Sequence, residues 1–145
     1  MPEQNLSIRV QDARLRSLSD SLSKNLKDVV KVAAFNIERR AKEVPPPIDT
    51  GATMNSIHVS TNDGGGDYQA AASAARSARP GVDLLPNNPP GGSDGLSARI
   101  GPSTSYAAPL EFGGPHMPAR PFMTPSLEAE RGPFTEAVKQ IFEKA

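Results

Sequence analysis

A chain of 145 residues holds one domain with a single modest core. Only 37% of it is hydrophobic, against 12 Gly and 15 Pro, so the core must be concentrated in some stretches and missing from others. Sixteen basic residues balance sixteen acidic ones, which argues against a DNA-coating protein, and the absence of Cys removes disulfides, thiolate metal sites and Cys nucleophiles.

Aromatic content is 5% with no Trp, so few side chains can anchor a large isolated core, and stability borrowed from neighbouring subunits is expected. Met-Pro-Glu-Gln-Asn lacks the charged and then apolar run of a secretory leader. No stretch approaches the ~20 apolar residues of a membrane span. A soluble protein made in a reducing cytoplasm is the expectation.

Residues 5–10 alternate, with Leu6, Ile8 and Val10 on one side, and this period of two predicts a half-buried strand. The period then changes. Leu15, Leu18, Leu22, Leu26, Val29, Ala33, Ile37, Ala41 and Val44 step by three or four, predicting a helix over 13–44 that could break at the Ser-Leu-Ser-Asp-Ser run, 17–21. Pro45 to Pro47 stop it, because proline lacks an N–H and disfavours helical geometry in the residue before it. Asp49-Thr50-Gly51 follows as a tight reversal. Ile57, Val59 and Thr61 alternate against His58 and Ser60, and Leu96, Ala98 and Ile100 against Ser97 and Arg99; the two runs predict neighbouring antiparallel strands.

Between them lies an insertion, 63–95, that is rich in Pro and Gly at both ends. Its alanine stretch, Tyr68 to Ala78, has propensity for two or three helical turns. The insertion reads either as a loose surface loop or as an arm that orders against a neighbouring subunit. Downstream, Tyr106, Ala108, Leu110 and Phe112 alternate as an edge strand limited by Pro109, or form a short helical turn. Thr124-Pro125 reads as the cap and first position of a C-terminal helix, and Gly132-Pro133 as its break or kink, before Phe134, Val138, Ile141 and Phe142 resume an apolar stripe.

Chemistry-bearing residues are sparse. His58 falls on the polar side of a predicted strand and His116 in a Gly-Pro loop; with Glu111 they fall short of three or four spaced metal ligands. Asp49-Thr50-Gly51 spells the aspartic-protease tripeptide, but it occurs once and follows prolines rather than a strand. Gly64–Gly66 lacks the Lys and Ser/Thr of a phosphate loop. Neither an enzyme nor a cofactor is expected. Glu111, between two apolar neighbours, has two readings: an exposed charge that discourages edge pairing, or an acceptor for Arg99 or Arg120 of the next subunit. A DNA-binding module would rest on Lys24, Lys27, Lys31, Arg39 and Arg40.

Three motifs occur in order after the long helix: Pro-Pro-Pro-Ile-Asp-Thr-Gly at 45–51 with Ser56-Ile57, Tyr-Ala-Ala-Pro-Leu-Glu-Phe-Gly at 106–113, and Arg-Pro-Phe-Met-Thr-Pro at 120–125. Together they resemble the tail-completion, or neck, proteins of long-tailed bacteriophages. The matching positions are Pro47, Asp49, Thr50, Gly51, Ser56, Ile57, Tyr106, Ala107, Glu111, Phe112, Gly113, Pro121, Phe122 and Pro125. The chain departs from the family pattern in its long insertion and in Gly114-Pro115 after the motif.

The resemblance implies a single α+β domain over 1–145, with a small, mainly antiparallel sheet packed by the long N-terminal helix, a C-terminal helix and the 63–95 loop. It implies a structural virion protein at the head–tail junction. Copies would form a homo-oligomeric ring, six preferred after the six-fold tail tube and twelve next, around the DNA channel. The ring would join a head connector or adaptor protein to the tail terminator or tube protein, with passing contact to genomic DNA and none to a membrane. A tail terminator or minor tail protein is the nearest alternative. Tyr106 and Phe122 are expected to pack the sheet against the helices.

Overall fold

The computed structural model describes residues 2–43, 51–61, 68–86 and 95–145, with first-helix side chains from Asp12 onward. Helix α1, Pro2–Glu43, is the longest element. A one-turn helix α2, Ala52–Ser56, leads into strand β1, His58–Ser60. Helix α3 is Tyr68–Ala78, strand β2 Arg99–Gly101, helix α4 Ala107–Phe112 and helix α5 Met123–Lys144. Pro47, Asp49 and Thr50 lie outside the described residues.

The expected strand at 5–10 is instead the start of α1, which runs unbroken through 17–21. Leu6 and Val10 are also four apart, so the alternation suited a helix equally, and a strand would have needed a ladder partner. The predicted strand pair does form, in a minimal version. β1 and β2 are antiparallel, with His58 opposite Gly101, Val59 opposite Ile100 and Ser60 opposite Arg99.

His58 is not on a polar face: all three residues of β1 are buried. Tyr68 of α3 sets its ring edge-on to the imidazole at 5.4 Å between centroids, covering the side that alternation alone leaves to water. That helix buries Ala71, Ala72 and Ala75, and the segment after it hydrogen-bonds the loop that follows β2, through Leu85 N–H to Ser103 O and Ser105 N–H to Asp83 O. The described part of the insertion therefore packs on its own chain.

α1 and α5 lie antiparallel. Glu130 of α5 meets Asn36 and Arg40 of α1, whereas Ile141 and Lys144 share a groove with Leu18 and Leu22. α5 continues through Gly132-Pro133 rather than breaking there. Proline removes the hydrogen bond to the Ala129 carbonyl, but Ala129 and Pro133 are both exposed, where water can take over that carbonyl.

The core is small in an unusual way. Among the described residues, eight of the twelve buried apolar ones are alanines, so much of the contact is backbone approaching backbone across a methyl group. Phe122, Ile57, Ala41 and Ala107 form its centre, with Ile100, Leu110 and Met123 packed around them. Phe122 thus sits where expected. Tyr106 does not: it is half-exposed, under the Arg79 guanidinium at 5.5 Å, rather than between sheet and helix. Nine larger apolar side chains among the described residues stay exposed, including Leu15, Leu18, Val32, Phe112 and Phe142.

Candidate assembly interface

The edge-strand reading of 106–112 gives way to helix α4, and this reverses the role of Glu111. Its side chain is buried and turned toward the start of α5. The backbone N–H groups of Phe122, Met123 and Thr124 donate to the carboxylate at 2.8, 3.0 and 2.8 Å, and the Thr124 hydroxyl donates at 2.6 Å. A helix leaves its first four N–H groups unbonded. Here the first three go to Glu111, and the fourth position is Pro125, which has none. Thr124, expected to cap the helix, is instead a donor to the residue that does.

Burial by itself would raise the Glu111 carboxyl pKa. The hydrogen bonds from the Thr124 hydroxyl and from the three amides outweigh it and hold the pKa below its ordinary value. The ionised form therefore belongs to the fold. Its carboxylate is satisfied within the chain, while Arg99 and Arg120, the partners considered for it, are exposed.

The next two residues follow from this placement. Gly113 has φ +83, and a Cβ there would lie 3.0 Å from the Ala119 backbone nitrogen, so both conformation and space require glycine. The chain then turns at Gly114–Met117 and returns so that Arg120 N–H reaches Leu110 O at 2.7 Å. Phe112 stands between the fixed Glu111 and the fixed Gly113, yet is 79% exposed. It borders an apolar groove of about 400 Å³ lined by Leu85, Ile100, Ala108, Met123 and Leu127. Phe112 is thus a large aromatic held out on a turn beside an apolar groove.

The family described as "Bacteriophage HK97-gp10, putative tail-component" matches residues 11–113. The chain belongs to the HK97-gp10-like family. No curated protein and no solved structure matches it. The matched span of this HK97-gp10-like chain ends on the Glu111-Phe112-Gly113 turn, so the helix that Glu111 caps lies beyond it.

The other described motif residues of this phage tail component sit at turns, beside the helix cap and in the core. Gly51, at φ +77, opens α2, and its carbonyl accepts from Asn55 N–H. Ile57 is in the core. Pro121 and Pro125 are exposed, flanking the cap. Ser56 enters a buried polar knot that motif reading did not reveal. Ser103 N–H donates to Ser56 Oγ at 3.0 Å, the Ser103 hydroxyl to Ser56 O at 3.2 Å, and Thr104 Oγ1 to Thr53 Oγ1 at 3.2 Å.

His58 Nδ1 lies 3.0 Å from Ser56 O and 3.3 Å from Ser103 Oγ. A serine beside an imidazole has the parts of a nucleophile and base, but both are sealed from solvent and tied to backbone, so the knot joins α2 to the loop after β2. The signal in the sequence was the serine-threonine run 103–105. Arg40, one of the basic residues considered for DNA, pairs with buried Glu130 at 3.5 Å. His116 is exposed in the Gly114–Met117 turn, and among the described residues no three His, Asp or Glu side chains converge as metal ligands.

Proposed function

We propose that this tail component is a structural, non-catalytic virion protein that assembles as a ring at the head–tail junction. The ring surrounds the DNA channel and joins the head connector to the tail terminator or tube protein. Family membership and motif order support the location. The observation that carries the assembly role is Phe112, an aromatic that the fold fixes on both sides and leaves in water. Six copies match a six-fold tube, and head-to-tail contacts close into a ring when the subunit rotation divides a full turn. DNA passes through without a dedicated site, in keeping with the balanced charge.

The test is to measure the mass of the purified protein alone and with isolated tails or DNA-filled heads, and to image what forms. A ring between head and tail is expected. Phe112→Ser is expected to leave the melting temperature unchanged and to abolish joining of heads to tails. Rings on tail ends that never meet heads would favour a tail terminator. A protein that ignores both particles overturns the proposal.

A further inference from the structure

α5 ends beside the middle of α1, not beside its start. Its last residues, Ile141, Lys144 and Ala145, share a groove of about 430 Å³ with Leu18, Leu22 and Asn25. Helix α1 begins at Pro2, so residues 2–17 extend beyond the end of α5. At 1.5 Å per residue that overhang is roughly 24 Å long. Residues 12–20 are all exposed, with Leu15 at 64% and Leu18 at 53%. A single helix of this length is marginal in water unless something packs on it.

The sequence of the overhang indicates what does. Ile8, Leu15, Leu22 and Val29 recur every seven residues, and Leu18, Asn25 and Val32 interleave with them three residues later. That is the a/d spacing of helices that pack along a seam, with Gln11 and Asn25 as polar positions of the kind that fixes register. Leu22, Asn25 and Val29 line the groove, while the repeat continues in sequence through Leu15 onto the overhang. Groove and overhang are thus two lengths of one repeat, and a helix suited to the groove is already present in every copy.

We propose that the α1 overhang of one copy seats in the α1–α5 groove of a neighbouring copy. This rests on the ring reading for its biological setting and names the contact that would close the ring. Each copy gives one overhang and receives one; passed to successive neighbours, the contact is head-to-tail and closes as a ring.

Because the chain has no Cys, engineered thiols report this contact without background. Leu15→Cys on the overhang and Gln140→Cys on the groove wall are placed in separate chains of different tagged mass, mixed, and oxidised both alone and in joined particles. Ser73→Cys on α3 replaces Gln140→Cys as the control. A disulfide requires Cβ atoms ~3.5–4.5 Å apart, so a cross-link between the first two, absent with the control, is the expected result.

With both substitutions in one chain, the ring reading predicts a covalent ladder that stops at the ring's copy number. A covalent dimer and nothing larger would uphold the seating and overturn the ring. A ring seen by imaging without the cross-link would overturn the seating, leave the ring intact and assign the groove to a different protein. A protein that is monomeric throughout and gives no cross-link would overturn the seating outright.

Discussion

The two ends of α1 carry the same apolar spacing and meet opposite fates. Toward the C-terminal end, Ala33, Ala34, Ile37 and Ala41 are buried against the sheet and α5; toward the N-terminal end, Leu15 and Leu18 repeat the stripe and face water. The larger side chains are at the uncovered end. Periodicity specifies a face, and only the length of the neighbouring element decides how much of that face is used. In this chain α5, Met123–Lys144, is about half as long as α1, Pro2–Glu43, and the described side chains of the surplus, 12–17, are exposed.

Substitutions at the covered region should cost folding stability, and those at the uncovered end only assembly. Phe122→Ala removes the largest fully buried side chain, and a loss of about 3–5 kcal/mol is expected in chemical denaturation. An unchanged denaturation midpoint would remove Phe122 from the core. Glu111→Ala leaves three amides and a hydroxyl without their acceptor, with an expected loss of about 1–3 kcal/mol.

Glu111 also gives the comparison a pH axis. Its folded pKa lies below the unfolded one, so its contribution is complete above the ordinary carboxylate range and is lost as pH falls through the depressed folded value. Stability of Glu111→Gln should therefore fall less between neutral and acid pH than that of the parent. Parallel curves would show that the carboxylate is not ionised in the fold.

Gly113→Ala forces a side chain into a left-handed conformation beside the Ala119 backbone, and about 1–2 kcal/mol should be lost. At the other extreme, Leu15→Ser should change monomer stability by less than about 0.5 kcal/mol while reducing association, read by solution mass measurement across a concentration series. A large stability loss there would mean that the overhang is covered within its own chain.

The long helix, the α3 helix, the strand pair and the C-terminal helix were legible because each rests on local spacing or propensity. What was not legible depends on distance. Nothing near Glu111 in sequence says that its partners are Phe122, Met123 and Thr124, so the two motifs read as separate devices although they are one. His58 was misjudged for a similar reason: alternation on β1 assumes one wet face, and Tyr68 of α3 covers it. Short alternations such as 5–10 carry too few residues to separate the two periods, and the Pro133 break was overestimated because solvent can serve the carbonyl that proline deserts.

The carboxylate that joins α4 to α5 has a consequence for chain connectivity. Glu111 and Arg120 N–H hold both ends of the intervening turn, so the covalent path through exposed Pro115 and His116 is not what keeps the helices together. A protease cutting at that tip should leave a two-fragment complex that migrates as the intact protein until denatured. For the same reason the tip can lengthen or change composition from one relative to another without moving α5, so that novelty in the loop need carry no architectural penalty.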